Sequence, residues 1–324
     1  MPAQEPAFAR RWRTKFNAAL NRSASARTTS TTSFAFPLAQ YLSLHLVLSA
    51  FLLFSFIALP RSQPWLDGAL GRTTRSTGQR VSADRPEWEW MTSVTVDPVV
   101  TMGWTCAGLA VSLGWWSMHL RRWWIATRIT ENPEAKGQIE KEDTLTVARN
   151  AALATVVATL LVTPILVLFG APTTSHYAQT LFLALHLALL VVLPPAYALG
   201  IPSLYESGSF ERFRLTRLFC ELAPKTHLER ATVYPVIGTI VASWLLVIPL
   251  ALDWDRPWQS FPLPPAFGAI LGFILGGIAC VARGVFDEAV EASRDVVRLA
   301  EEERERAASE EKGRRKKRKG GKAA

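Results

Sequence analysis

A short turn between two hydrophobic runs holds the residues best suited to chemistry. Residues 252–259 read LDWDRPWQ, so the carboxylates of Asp253 and Asp255 stand close to the guanidinium of Arg256. Two carboxylates can act as a general acid and a general base, and an ion pair can bind a lipid headgroup or a protein partner. Acid–base catalysis requires one carboxyl to stay protonated, whereas a neighbouring cation favours the ionised form of both. The charge pattern therefore favours a binding or structural role, and no catalytic residue is expected.

The remaining residues of this turn suit a membrane surface. Trp254 and Trp258 can bury their rings at headgroup depth while the indole N–H stays hydrated. Pro257 keeps the residue before it out of helical geometry and so ends the preceding run. Two interpretations stay open: a rigid, salt-bridged hairpin, or a contact site for a lipid or a partner. The candidate site, called the turn motif below, comprises Asp253, Trp254, Asp255, Arg256, Pro257, Trp258 and Gln259.

Composition indicates a membrane protein. Of the 324 residues, 49% are hydrophobic and 12 are tryptophan, which is too apolar for an ordinary soluble domain. The net charge of +9 is concentrated towards the two ends of the chain, as is typical of orientation-setting or lipid-facing segments, so no nucleic-acid partner is expected. Cys106, Cys220 and Cys280 are isolated and lack metal-ligand spacing, so neither a metal nor a cofactor is predicted.

Six hydrophobic runs are each long enough to cross a bilayer, which takes about 20 residues of helix. The expected fold class is an all-α polytopic membrane protein with spans at 38–59, 98–119, 147–169, 178–200, 232–252 and 264–283. Pro164, Pro194 and Pro195 are expected to kink or end the third and fourth spans. Three histidines lie within or at the ends of spans and are expected to hydrogen-bond between helices: His45, His119 and His186.

Lysine and arginine predict the orientation. They concentrate in the two terminal segments and in the loops at 120–146 and 201–231, whereas five arginines in the 60–97 loop are balanced by five acidic residues. The positive-inside rule then places both termini in the cytosol and the turn motif in the lumen. The expected domains are a disordered basic cytosolic segment at 1–36, a six-helix transmembrane domain at 37–283, and a cytosolic charged helix with a basic tail at 284–324.

Small residues repeat along the last two spans. Gly268, Gly272 and Gly276 are four residues apart in span six, so they share one helix face, and Gly238 and Ala242 repeat the pattern in span five. Such stripes let helix backbones approach closely. The stripe predicts either packing within the chain or an interface to another membrane protein.

Four segments carry a family resemblance. They are PLALDWDRPWQSFPLPPAFGAILG at 249–272, GTIVASW at 238–244, VLFGAP at 167–172 and VLPPAYALG at 192–200. In this order and spacing they resemble the PIG-F family of glycosylphosphatidylinositol (GPI) anchor biosynthesis proteins. The long turn motif, with its unusual composition, is the most specific of the four segments.

The resemblance implies a protein of the endoplasmic reticulum membrane that acts late in GPI assembly. Family members associate with transferases that move ethanolamine phosphate onto GPI mannoses. The third mannose is reached through a PIG-O-like catalytic subunit and the second through a PIG-G-like one. The resemblance implies an accessory, stabilising subunit and not an enzyme. Loop length agrees, because the loops expected in the lumen are too short to build a two-metal catalytic domain.

A transporter or scramblase for phospholipids or GPI intermediates is the alternative. Proline-kinked spans three and four and a charged luminal turn could form a headgroup path. Against this alternative, the spans contain few ionisable residues and no inverted repeat is evident.

Overall fold

The described residues of this computed structural model are 36–69, 89–131, 137, 143–172, 174–201, 209–254 and 256–320. Within these ranges the chain forms helices and no β-strand. Short 3-10 helices lie at Leu59–Ser62, Ile248–Ala251 and Pro257–Gln259. The α-helices are α1 (Leu38–Ile57), α2 (Gln63–Ala69), α3 (Glu89–Thr95), α4 (Pro98–Glu131), α5 (Thr144–Leu168), α6 (Tyr177–Val191), α7 (Leu193–Leu199), α8 (Ser209–Phe219), α9 (His227–Leu245) and α10 (Leu263–Gly320).

Among the described residues, six helical stretches are long and apolar enough to cross a membrane, which confirms the predicted fold class. Spans one, two and three are Leu38–Ile57, Pro98–Thr130 and Thr144–Leu168. Spans four, five and six are Tyr177–Leu199, His227–Ala251 and the apolar start of Leu263–Glu310. Each predicted run coincides with one of these stretches. The predicted orientation of the termini stays a prediction.

Local capping explains where three spans begin. The carboxylate of Asp97 accepts hydrogen bonds from the backbone N–H groups of Val99 and Val100 (3.0 and 3.2 Å), with Pro98 at the first helical position. Asp143 caps α5 by accepting from the N–H of Leu145 at 3.3 Å. Span five starts with a capping box between Thr226 and Glu229. These polar caps satisfy backbone donors where the hydrophobic runs start.

One span ends later than the sequence-based expectation. Helix α4 continues twelve residues beyond the predicted end at His119, to Glu131. The extension includes Trp123, which is buried, and Trp124, over whose ring the guanidinium of Arg214 stacks at 4.3 Å. Tertiary packing therefore carries the helix past its apolar run.

The prolines act differently from one another. Pro164 lies inside α5, which continues to Leu168, whereas Pro194 and Pro195 follow the break between α6 and α7. The rings of that pair would collide with the carbonyls of residues 190 and 191 in a continuous helix, which explains the end of α6 at Val191. A further proline, Pro235, lies inside span five.

Spans four and six form the centre of the bundle. Of their most apolar stretches 56% is buried, against 17% for span three and 28% for span five. Span six contributes Ile270 and Phe273 to the core, where they join Leu48 of span one and Trp116 of span two. The outer faces of spans three and five are left to lipid or to a partner.

The described chain belongs to two compact units. One holds the spans as far as Val281, and the other contains the part of α10 that starts at Ala282. Of this second unit the structure describes α10 as far as Gly320, with ion pairs along the helix between Arg283 and Asp287 (3.1 Å) and between Arg298 and Glu302 (3.9 Å). The predicted disordered segment at 1–36 lies outside the described residues except for Phe36.

Candidate functional site

The turn between spans five and six is held by one side-chain amide. The Nε2 group of Gln259 donates to the carbonyls of Pro249 (2.6 Å) and Leu252 (2.9 Å), and its Oε1 accepts from the backbone N–H of Arg256 at 2.9 Å. These three bonds tie the end of span five to the 3-10 helix Pro257–Gln259. The sequence placed Gln259 in the motif without a role. The sequence signal for this role was the amide itself, which both donates and accepts hydrogen bonds and lies among prolines that have no backbone N–H to donate.

The two tryptophans of the turn motif lie next to each other. The ring centroids of Trp254 and Trp258 are 5.8 Å apart at an interplanar angle of 56°, and Trp254 is 50% exposed. Such an exposed indole at the end of two spans suits the headgroup region of a bilayer. Asp255, which the predicted ion pair would use, lies outside the described residues. Within the described part of the turn, Asp253 and Arg256 form no ion pair with each other.

The turn shares its end of the bundle with the 60–97 loop. Helix α3 packs against the 3-10 helix Pro257–Gln259 and against the 3-10 helix Leu59–Ser62. At the same end, the indole N–H of Trp104 donates to Oε1 of Gln63 at 2.9 Å, and Nε2 of Gln63 donates to Asp67 at 2.8 Å. Any experiment that locates this loop relative to the membrane therefore locates the turn motif too.

The glycine stripe brings spans five and six into backbone contact. A Cβ atom built on Gly238 would collide with the carbonyl oxygen of Gly272, and one built on Gly272 would lie 2.7 Å from Cβ of Ala242. A Cβ on Gly268 would lie 2.5 Å from the carbonyl oxygen of Ala242, and one on Gly276 would lie 2.7 Å from Cα of Pro235. The predicted stripe residues thus contact one another or span five, and this face is occupied within the chain.

Two histidines connect spans one and four to span six. His45 Nε2 lies 3.0 Å from the carbonyl oxygen of Ile274, and His186 Nε2 lies 3.1 Å from that of Ala266. Both rings are fully buried. The ring of His119 instead packs edge-on against Trp115 at 4.9 Å. The expected interhelical hydrogen bonds are confirmed for the first two histidines.

Gly277 is a site residue that sequence reasoning missed. A Cβ atom on Gly277 would lie 2.8 Å from Cδ2 of His45 and closer still to two other ring atoms. The missing side chain therefore creates the space for the imidazole. The sequence did contain a signal for this role. The stripe requires a glycine only at every fourth position, so Gly277, directly after Gly276, needs a separate explanation.

The chemistry available in the turn is that of recognition. Asp253, Arg256 and the exposed indole of Trp254 offer a carboxylate, a guanidinium and an aromatic surface, which suit polar headgroups or a protein surface. Among the residues that the structure describes, no group of three His, Cys, Asp or Glu side chains could hold a metal ion.

Comparison with known proteins places the chain in a family. Residues 87–281 match the model of the GPI biosynthesis protein family Pig-F. The chain is 34% identical over 145 residues to "Glycosylphosphatidylinositol anchor biosynthesis protein 11" of Aspergillus fumigatus, covering 44% of each chain. It is 38% identical over 133 residues to the protein of the same name from Neurospora crassa, covering 39% of this chain and 43% of the relative.

A human relative carries a more specific name. The chain is 30% identical over 112 residues to the human "GPI ethanolamine phosphate transferase, stabilizing subunit", covering 35% of this chain and 47% of the relative. The chain thus spans about half the length of the curated relatives that it matches. No solved structure matches it. Since the family model covers more than half of the chain, including spans two to five, most of the membrane-crossing part of span six and the turn motif, the chain belongs to the PIG-F family of GPI biosynthesis proteins.

Proposed function

We propose that this protein is a non-catalytic membrane subunit that binds and stabilises a GPI ethanolamine phosphate transferase. The observation that carries the proposal is the family match over residues 87–281, together with a human relative named as the stabilizing subunit of such a transferase. The catalytic partner performs the transfer. The bundle provides what a stabilising subunit needs, which is a self-packed core with apolar outer faces on spans three and five.

The finer proposal concerns the partner, the mannose and the compartment. The protein supports transfer to the third mannose through a PIG-O-like subunit, and to the second mannose through a PIG-G-like subunit. It resides in the endoplasmic reticulum membrane with both termini in the cytosol and the turn motif in the lumen. The lysine and arginine distribution supports this orientation.

The turn motif is proposed as a contact for the partner or for lipid. The indole of Trp254, which is 50% exposed, is the most exposed large hydrophobic side chain of the described turn motif. Gln259, whose amide faces the chain's own backbone, instead holds the turn in shape. Within the turn motif, Trp254 is therefore proposed to contact another molecule, and Gln259 to hold the shape of the turn.

Deletion and complementation test the proposal. Cells lacking the protein should accumulate GPI precursors without ethanolamine phosphate on the third mannose, measured by mass spectrometry of the glycans, and should contain less transferase by immunoblot. Wild-type protein should restore both. Trp254→Ala should restore them incompletely, whereas Trp65→Ala, which removes a 75% exposed indole at the same end of the bundle, should restore them fully. Fully decorated GPI in the deletion strain would contradict the proposed function.

A further inference from the structure

Helix α8, which lies between spans four and five, presents an uncharged face outward. Among residues 212–220, the exposed ones are Phe213, Thr216 and Cys220, and their spacing of three and four residues places them on one helix face. Phe213 is 66% exposed. A helix face that water covers usually carries charged and polar residues. The outer face of α8 therefore does not resemble a surface in contact with water alone.

The arginines of α8 instead make contacts within the protein. Arg214 is buried, and its guanidinium lies over the ring of Trp124 in span two at 4.3 Å. Arg217 forms an ion pair with Glu229 and donates to the carbonyl oxygen of Ala223 at 3.0 Å. Charged side chains are rarely buried unless they are paired. These contacts therefore fix the rotation of α8, and they keep Phe213 on the outside.

The segment after α8 exposes a second apolar side chain. Leu222 has a φ angle of 52°, in the left-handed region, and its side chain is 53% exposed. This conformation is disfavoured for residues with a Cβ atom, and glycine adopts it without strain. A leucine at this position is explained if its side chain gains contacts outside the chain.

The contacts of α8 place it at the level where the spans begin and end. Glu229, the partner of Arg217, is the third residue of span five and belongs to its capping box. Trp124, the partner of Arg214, lies six residues before the end of span two at Thr130. Tryptophan and arginine at the ends of spans typically mark the boundary between lipid and water. A bilayer that surrounds the spans therefore reaches the outer face of α8.

We propose that α8 and Leu222 form a membrane-surface anchor, in which Phe213, Cys220 and Leu222 insert between the lipid headgroups. Interfacial helices bury their apolar face about 5–10 Å into the boundary between headgroups and acyl chains. The occupant of this face is the bilayer and not a protein, because lipid surrounds the neighbouring spans at the same level. Span five separates the anchor from the turn motif, which lies at the other end of the bundle. The inference therefore does not depend on the proposed transferase partner.

A spin label on Cys220 measures the surroundings of the anchor directly. Cys106 and Cys280 are buried, so a thiol-specific label should react with Cys220 in the full-length protein. In phosphatidylcholine nanodiscs without other proteins, the accessibility to oxygen divided by that to a water-soluble nickel chelate should exceed the value of a water-exposed label by at least about twofold, because the chelate is excluded from acyl chains. A ratio equal to that of the water-exposed label would overturn the proposal, and is the result expected if only a protein partner covers this face.

Reference positions in a Cys220→Ser background calibrate the measurement. Ser309→Cys, in the charged part of α10, supplies the water-exposed value, and Leu161→Cys, on the exposed apolar face of span three, supplies the lipid value. Phe213→Cys repeats the measurement two turns earlier on the outer face of α8 and should match Cys220. All these positions are exposed, so the labels should not disturb packing. A water-like ratio at position 213 would overturn an anchor that lies along the membrane surface.

Discussion

Gln259 shows how one side chain can shape a membrane turn. Its amide bridges the carbonyls of Pro249 and Leu252 and the N–H of Arg256, so uncharged hydrogen bonds link the end of span five to the following 3-10 helix. An amide serves this role well near a bilayer, because it satisfies backbone groups without the desolvation cost of a charge. Gly277 has a different local role, because its missing side chain leaves the space that the ring of His45 occupies.

Replacing Gln259 tests this role. Gln259→Ala should lower the free energy of unfolding by about 1–3 kcal/mol, because three hydrogen bonds are lost and the partly buried carbonyl of Pro249 loses a donor. Thermal or denaturant unfolding in detergent micelles measures the change. Gln40→Ala, which alters an exposed glutamine on α1, is the matched control and should have little effect. A Gln259→Ala protein as stable as the wild type would show that the turn is held by other contacts.

Spans five and six illustrate how a helix pair is built from small residues. Without a hydrophobic driving force inside the bilayer, the pair depends on close van der Waals contact, and the glycines permit the two backbones to touch. Span six combines this face with a second one, where the carbonyls of Ile274 and Ala266 face His45 and His186. One helix thus organises spans one, four and five.

The stripe leads to a prediction about the pair. Gly272→Ala should destabilise the bundle by roughly 2–3 kcal/mol, because its Cβ would lie 2.5 Å from the carbonyl carbon of Gly238 and backbone cannot move aside as a side chain can. Gly103→Ala is the control, since its Cβ would meet only Phe182 at an ordinary 3.8 Å. Unfolding in micelles compares the two variants. Equal stability of both would mean that spans five and six are less tightly packed than the structure indicates.

At the scale of the whole molecule, the architecture is a bundle with six spans. Its orientation in the membrane decides which compartment the turn motif faces, and so which partners the motif can contact. Helix α3 lies against the turn motif, so the 60–97 loop and the turn face the same compartment. The predicted luminal location of the turn can therefore be measured on the loop, which is long enough to carry a tag.

Glycosylation mapping tests the orientation. An Asn-X-Thr acceptor inserted between residues 70 and 88 should be glycosylated in cells, whereas an acceptor added after Ala324 should not. Asn21-Arg22-Ser23 is a natural acceptor in the amino-terminal segment and should remain unmodified, which gives an internal control. A mobility shift on gels that glycosidase treatment reverses is the measurement. Modification of the carboxyl-terminal acceptor would invert the proposed topology.

The amino-acid sequence alone was enough to predict six spans, the turn motif, the small-residue stripe and the family. These features depend on hydropathy, proline and glycine placement and local spacing, which are properties of neighbouring residues. The partners of His45, the space provided by Gly277 and the bonds of Gln259 emerged only from the folded bundle. His45 and Ile274 are 229 positions apart, and their contact depends on helix rotation and crossing geometry. No local pattern encodes those quantities, because they are set jointly by every packed face of the bundle.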